Sequence, residues 1–491
     1  MTPTTLARAR ATLAEALEVY LRPRVLIVLL LGFSSGLPLA LSGATLQVWV
    51  TESGLDIKTI GLFAAVGTPY TIKFLWAPLI DALDLPMLSR LLGRRRSWLL
   101  LSQLVLMLTI VRLAFCDPAV APWSFALAAL LVATASATQD IVVDAFRVES
   151  LPESEQAAGM ASYVAAYRIG MLASGAGALY LVTWFESFGL GRPGAWTAGY
   201  IAMAALVAVG IVTTFVATEP EKSAVANAAH ATQNPFLRVL KTAWAAFAQF
   251  LFRQHVRRIG RADRPQFDRV LRRPRRSRRS RALVVRFLFA VAVLVFVVLF
   301  KFTDALSGTM IAPFVIKIGF TREEYASIVK VLGLTATLLG GFAGGVVARA
   351  YPLSASLWIG GILQAVANLG FSWQASVGAD ITALAIAITL ENFTSAIGTV
   401  IFVAYLSALC NNPLHTATQY ALLTALAAVG RTYLSLGAGY IAAATGWPWF
   451  FAICAAAAIP SLLLLAWLQH CGHFALLDRQ RERESDAEAD A

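Results

Sequence analysis

Apolar residues run in long unbroken windows along this chain, and the polar positions collect in short stretches between them. About 20 apolar residues are needed to carry a helix across the roughly 30 Å hydrocarbon core of a bilayer. Reading the windows between charged or Gly/Pro-rich breaks predicts spans near 24–49, 57–80, 97–116, 122–146, 158–184 and 195–217. A second set follows near 284–314, 322–349, 353–374, 379–409, 414–443 and 445–468, which makes twelve, six plus six. A membrane barrel would show short alternating segments instead. The predicted class is therefore an all-α polytopic membrane protein. The first window follows Arg22 and Arg24 without a cleavage site and exceeds a signal-peptide core, so it reads as a retained helix.

Composition agrees. Hydrophobic residues make up 58% of the chain and charged residues only 14%, against about 25% charge in soluble domains. Lysine and arginine set the expected orientation, because cytoplasmic loops retain them. Arg8, Arg10, Arg22 and Arg24 precede the first span, Arg90 and Arg94 to Arg96 follow the second, and a dense run separates the two sets. The opposite loops offer Lys58, Arg112, Arg192, Lys317 and Arg322. Both termini are thus expected in the cytoplasm. The organisation that follows is an N-terminal segment 1–23, a six-helix bundle 24–217, a basic linker 218–283, a second bundle 284–468 and a tail 469–491.

Much of the net charge of +12 comes from the linker run "RRIGRADRPQFDRVLRRPRRSRRSR". Such a run suits nucleic acid, but beside a membrane it reads as a topology signal that also touches anionic lipid headgroups. No nucleic-acid partner is expected. Upstream, "FLRVLKTAWAAFAQFLF" (236–252) has the aromatic face of a helix lying on the membrane surface. The four cysteines, Cys116, Cys410, Cys454 and Cys471, form no CxxC pair, so neither a disulfide framework nor a zinc site is expected. "QHCGH" at 469–473 is a single short cluster and does not change that reading.

An internal repeat supports the six-plus-six division. At one constant offset, Leu151, Gln156, Ala158, Ala165 and Arg168 recur as Leu414, Gln419, Ala421, Ala428 and Arg431. Two six-helix halves joined by a long cytoplasmic loop are the plan of a major facilitator transporter. Gly340, Gly344, Gly437 and Gly439 fit helices that approach closely, through packing alone or through sliding. The second span ends in Asp81 followed by Gly93 and Arg94, Arg95 and Arg96, which resembles that superfamily's loop between helices two and three. Its implied role is a cytoplasmic gate; the alternative is that the arginines only fix topology.

Ionisable residues inside spans cost about 2.5–3.5 kcal/mol each on insertion scales, so they face a cavity or a partner. The chain keeps Lys73, Arg168, Lys301, Lys330 and Arg431, and the acids Asp140, Asp144, Asp304 and Glu391. Spacings of three or four place Asp140 with Asp144, and Lys301 with Asp304, on one helical face. Two close carboxylates in a low-dielectric setting resist ionising together, which makes Asp140 and Asp144 candidate proton carriers. The alternative is that they neutralise Arg147, Lys73 or Arg168 in fixed pairs. The basic set suits an anionic substrate, with amides at Gln139, Asn392 and Gln419 and flat faces at Tyr70, Trp76, Tyr163 and Tyr167.

Several strings are more specific than a superfamily pattern. "LLLGFSSGLPLALSGATLQVWV", "SATQDIVVDAF", "AAYRIGMLASG", "FKFTDALSG", "LENFTSAIGTVIFVAYLSALCN" and "TATQYALLTALAAVGRTYL" resemble the AmpG-type muropeptide permeases of Gram-negative bacteria, over about residues 24 to 468. The resemblance implies import of GlcNAc-1,6-anhydro-MurNAc peptides across the inner membrane, driven by the proton gradient without a cofactor, for wall recycling and in some hosts β-lactamase induction. It implies proton coupling at Asp140 and Asp144. Substrate contacts are implied among Tyr70, Lys73, Gln139, Tyr167, Arg168, Lys301, Asp304, Lys330, Glu391, Asn392, Gln419 and Arg431. Action as a monomer is also expected.

Three alternatives compete. The eukaryotic acetyl-CoA transporters share much of the pattern, and a thioester nucleotide would use the same lysines. A non-transporting sensor on the same fold is the second. An intramembrane aspartyl protease needs its carboxylates facing each other from different helices; here both lie on one helix, so no enzyme is expected.

Overall fold

The computed structural model describes residues 18–220, 278–409, 416–474 and 477, and every regular element among them is helical. Most of the basic linker, the surface helix expected over 236–252 and nearly all of the C-terminal tail lie outside the described residues. In chain order the long elements are α1 (Pro23–Glu52), a segmented α2 (57–82), α3 (Arg94–Ala114), α4 (Pro122–Ser150), α5 (Ala158–Ser187) and α6 (Arg192–Val216). They continue as α7 (Leu288–Ile318), α8 (Arg322–Ala350), α9 (Leu353–Val377), α10 (Ile381–Leu409), α11 (416–445) and α12 (Trp447–His470).

Ten of these are long and apolar enough to cross a membrane among the described residues. The other two, α2 and α11, occupy the windows expected at 57–80 and 414–443, and both are interrupted. The α2 run consists of short helices at Ile57–Leu62, Thr68–Ile72 and Ala77–Ala82 joined by 3-10 turns at Phe63–Gly67 and Lys73–Leu75. Pro69 and Pro78 account for the breaks, since proline lacks the donor that would continue the ladder. Asp56 opens the run by capping the Lys58 and Thr59 amides; the Thr59 hydroxyl and those amides hold its carboxyl below the usual carboxylate range. In α11 a 3-10 turn at Ser435–Gly437 divides Thr416–Leu434 from Ala438–Thr445.

The chain forms two compact units, Met1–Pro235 with Ile311–Val331, and Phe236–Met310 with Leu332–Ala491. In the first, α1 packs most extensively on α5. Gly32 and Gly36 press directly on the backbone of Tyr163 and Tyr167, and Gly170 presses back on that of Phe33. This small-residue contact brings two helix backbones closer than any side chain would permit. Val25, Val28 and Leu31 of α1 complete a buried core with Leu99 of α3 and Val142, Val143 and Phe146 of α4. At the far end of α1, Trp49 stacks flat on Trp196 at 5.2 Å. In the second unit, Gly340 and Gly344 of α8 meet the backbone of Phe393 and Ile397 in α10, and Phe300 stacks on Phe402. His473 of the "QHCGH" stretch is buried against Tyr405 Oη at 3.0 Å. Among the described residues no three His, Cys, Asp or Glu side chains gather to hold a metal.

Replacing Gly36 by alanine puts a methyl group into the Tyr167 carbonyl, and overpacking of this kind costs about 1–3 kcal/mol. Thermal unfolding in detergent should show a clear drop for Gly36→Ala. Gly341→Ala, where a Cβ meets nothing within 4 Å, should match or slightly exceed the native chain because alanine favours helix.

Candidate functional site

The first unit contains a cavity of about 410 Å³. Its wall gathers Lys73, Asp140, Asp144, Tyr167 and Arg168, all charged or aromatic residues singled out from the sequence. Tyr163 joins them, with Leu39, Val164 and Met171 as apolar lining. Lys73 reaches it from the 3-10 turn that interrupts α2. Such turns within a helix often mark hinges or strained, functional stretches.

Asp140 is 7% exposed. A carboxylate so enclosed requires a countercharge and donors. Lys73 Nζ lies 3.7 Å from its Oδ2, and Ser35 of α1 donates a short hydrogen bond to its Oδ1. Asp144, one turn on, is about half exposed and pairs with Arg147 at 3.6 Å. The two carboxylates thus share a helix face but have different partners. Arg147 also covers the Tyr163 ring, 5.5 Å from its centroid. Tyr70 shares a 3.3 Å hydrogen bond with Ser42. Gln139 is fully buried and donates to Ser34 Oγ at 3.1 Å, away from the cavity lining.

A second polar cluster stands in the other unit. Asp304 Oδ2 accepts from Lys301 Nζ at 2.7 Å, Gln364 Nε2 at 2.9 Å and Ser395 Oγ at 2.9 Å. Lys301 also donates to Thr399 at 2.9 Å. Glu391 lies one turn before Ser395 on α10, and Asn392 accepts from Thr337 at 3.1 Å. Arg431 is exposed on α11. Lys330 belongs to the first unit; it sits on a π-helical stretch, Tyr325–Leu332, with its Nζ 5.5 Å from the Tyr325 ring centroid. The side chain of Gln419 lies outside the described residues, as does that of Asp81.

The arginines after the second span make bonds that the sequence did not reveal. Arg95 forms a bidentate pair with Glu149 at 2.5 and 2.9 Å, and Arg94 lies 3.5 Å from the same carboxylate. Arg96 donates to the carbonyls of Thr214 and Phe215. Glu219 caps α3 by accepting the Arg95 and Arg96 amides at 2.8 and 3.0 Å. Ser35, Gln364 and Ser395 were also missed, because nothing in a window of apolar residues distinguishes a packing serine or glutamine from one that holds a carboxylate.

The largest omission is Arg322, which the sequence presents as an ordinary loop charge. It is 7% exposed, with Nε 2.5 Å from Glu52 and Nη2 2.9 Å from Glu186. Its guanidinium covers the Trp196 ring at 5.6 Å, and Trp196 Nε1 donates to Glu52 at 3.1 Å. The readable signal was "TREE": Thr321 and Glu324 form a capping box, which announces a helix start and therefore an ordered arginine.

Comparison with known proteins bears on both units. A family profile described as "Acetyl-coenzyme A transporter 1" matches residues 24–121. The chain is 36% identical to the anhydromuropeptide permease of Escherichia coli (strain K12), over 92% of this chain and 81% of that one. It is 34% identical to the putative transporter AmpG 4 of Rickettsia felis, over 91% and 96%. Among solved structures, a mutant of the nucleoside transporter NupG superposes with a TM-score of 0.66 at 12% identity, covering 90% of this chain and 99% of that one. A D-xylose-proton symporter follows at 0.57 and 15%, covering 91% and 97%. These likenesses establish the fold of the major facilitator transporters.

Removing Arg322 would leave Glu52 without its countercharge and Glu186 with Arg192 alone at 3.8 Å, and breaking a buried pair in this way costs about 3–5 kcal/mol. Arg322→Ala should therefore lower thermal stability strongly, and Arg322→Ala in a Glu52→Gln, Glu186→Gln background should lower it much less. Equal losses in both backgrounds would mean that the charges do not determine the effect.

Proposed function

Because the chain belongs to the family of the anhydromuropeptide permeases, we propose that it imports GlcNAc-1,6-anhydro-MurNAc peptides across the bacterial inner membrane in symport with protons. It moves a solute and does not transform one. Both termini face the cytoplasm in this reading, and the chain acts as a monomer.

The observation that carries the reading is the cavity in the first unit, where Asp140 stands buried between Lys73 and Ser35 while Asp144 reaches solvent. A buried carboxylate beside a hydrated one gives a proton a way in and a place to rest. Protonating Asp140 releases Lys73 from its pair, and a freed ammonium then attracts a carboxylate of the stem peptide. Arg168 on the same wall offers a second cation, and Tyr163 and Tyr167 offer faces for the sugar rings. Lys301 with Asp304, Lys330, Glu391, Asn392, Gln419 and Arg431 complete the proposed substrate-binding set. Asp81 with Arg94, Arg95 and Arg96 is the proposed cytoplasmic gate.

The profile match over residues 24–121 favours a second substrate class, acetyl-CoA. Its phosphates would occupy the same cations.

Uptake of labelled anhydro-muropeptide into liposomes, with and without an inward proton gradient, separates these readings. The native chain should accumulate the muropeptide only with the gradient. Asp140→Asn should abolish accumulation while retaining exchange of pre-bound substrate. Folded native protein that transports acetyl-CoA and ignores the muropeptide would overturn the substrate assignment.

A further inference from the structure

Serines within these helices usually return their hydroxyl proton to the preceding turn: Ser42 donates to Pro38, Ser174 to Gly170 and Ser435 to Arg431. Such back-bonding is the local alternative open to any helical serine. Ser35 does otherwise. Its hydroxyl, 1% exposed, donates to Asp140 Oδ1 and lies 3.3 Å from Tyr163 Oη. Among the described residues that serine is the one hydrogen-bonding partner of the tyrosine hydroxyl. Tyr163 in turn lines the cavity.

We propose that Ser35 and Tyr163 form a two-hydroxyl relay that turns the proton on Asp140 into a change in what the cavity wall can bind. The inference rests on the proton-coupled reading above and names the element that links proton to substrate. A hydroxyl carries one hydrogen and accepts through its lone pairs. With Asp140 ionised, the Ser35 hydrogen is committed to Oδ1, so Tyr163 must donate to Ser35 Oγ. The tyrosine oxygen then offers the cavity lone pairs alone.

Protonation reverses the chain. The Oδ2 atom faces Lys73 Nζ, which has donors and no acceptor, so the proton settles on Oδ1. The carboxyl O–H now donates to Ser35 Oγ, the serine hydrogen turns to Tyr163 Oη, and the tyrosine hydrogen turns to the cavity. The only new covalent bond is the O–H on Asp140. The wall changes from acceptor to donor, which suits a carboxylate group on the substrate. The remaining charged and titratable groups around this chain are Lys73 and Tyr70 from α2, Asp144 and Arg147 from α4, and Tyr167 and Arg168 from α5. None of them bonds Ser35 Oγ among the described residues.

The relay works through Asp140, so Ser35 is a positioning residue and its test reads pH dependence. Affinity for a labelled anhydro-muropeptide is measured in detergent from pH 5 to 8 for the native chain, Ser35→Ala, Ser35→Thr and Tyr163→Phe, alongside gradient-driven uptake. The native chain should bind tighter at low pH, with about tenfold of the change due to the relay, the worth of one hydrogen bond to a charged partner. Ser35→Ala and Tyr163→Phe should each reduce that dependence to the part that the release of Lys73 supplies, and combining them should reduce it no further. Ser35→Thr, which keeps the hydroxyl, should retain it. A pH dependence as large in Ser35→Ala or Tyr163→Phe as in the native chain overturns the relay. So does a native chain that accumulates substrate but binds it equally at every pH. A native chain that accumulates nothing under a gradient fails at the earlier step, and the coupling reading falls with it.

Discussion

Placing one carboxylate at the centre of a membrane helix costs about 2.5–3.5 kcal/mol, and the first unit is organised around holding Asp140 against that cost. The countercharge comes from a break in α2, where the 3-10 turn lets Lys73 reach inward. The hydrogen-bond donor comes from α1: Ser35 reaches Asp140 of α4, while Gly32 and Gly36 let α1 lie directly on the α5 backbone. The same contact sets Tyr163 beside Ser35. Gly32 and Gly36 therefore set the tyrosine beside the serine that bonds the acid.

The second unit solves the problem differently. Asp304 is held by three donors from three helices, Lys301, Gln364 and Ser395. Each unit thus joins a lysine to an aspartate, and neither lysine stands as a bare cation. In the proposed reading an anionic substrate meets positive charge at Arg168 and Lys330, and at Lys73 once its partner is neutralised. In that reading, binding and protonation are connected at the level of charge.

The fold was legible because hydrophobicity in windows of about 20 residues is a strong signal, and only proline-broken α2 and the turn-divided α11 weaken it. Buried charges were legible for the same reason: each stands out from an apolar background, and the cavity wall gathers Lys73, Asp140, Asp144 and Arg168. Their partners were not. Ser35, Gln364 and Ser395 are ordinary residues whose importance lies in pairings between distant helices. Gln139 shows the converse: its type suggested a ligand, whereas its position on α4 turns it toward Ser34 of α1. The pairing of Arg95 with Glu149 was hidden likewise, since 54 residues separate them.

Arg322 carries a consequence for how such a chain arises. The internal repeat invites a history in which one six-helix module was doubled, each copy able to stand alone. Yet Glu52 and Glu186, both in the N-terminal copy, depend on an arginine that follows the seventh helix. A fragment ending before that arginine would keep Arg192 3.8 Å from Glu186 but would leave Glu52, beside Trp196, without its cation. The boundary between the two repeats in sequence is therefore not the boundary of the ion pairs, since residues after the seventh helix complete a cluster begun in the first six.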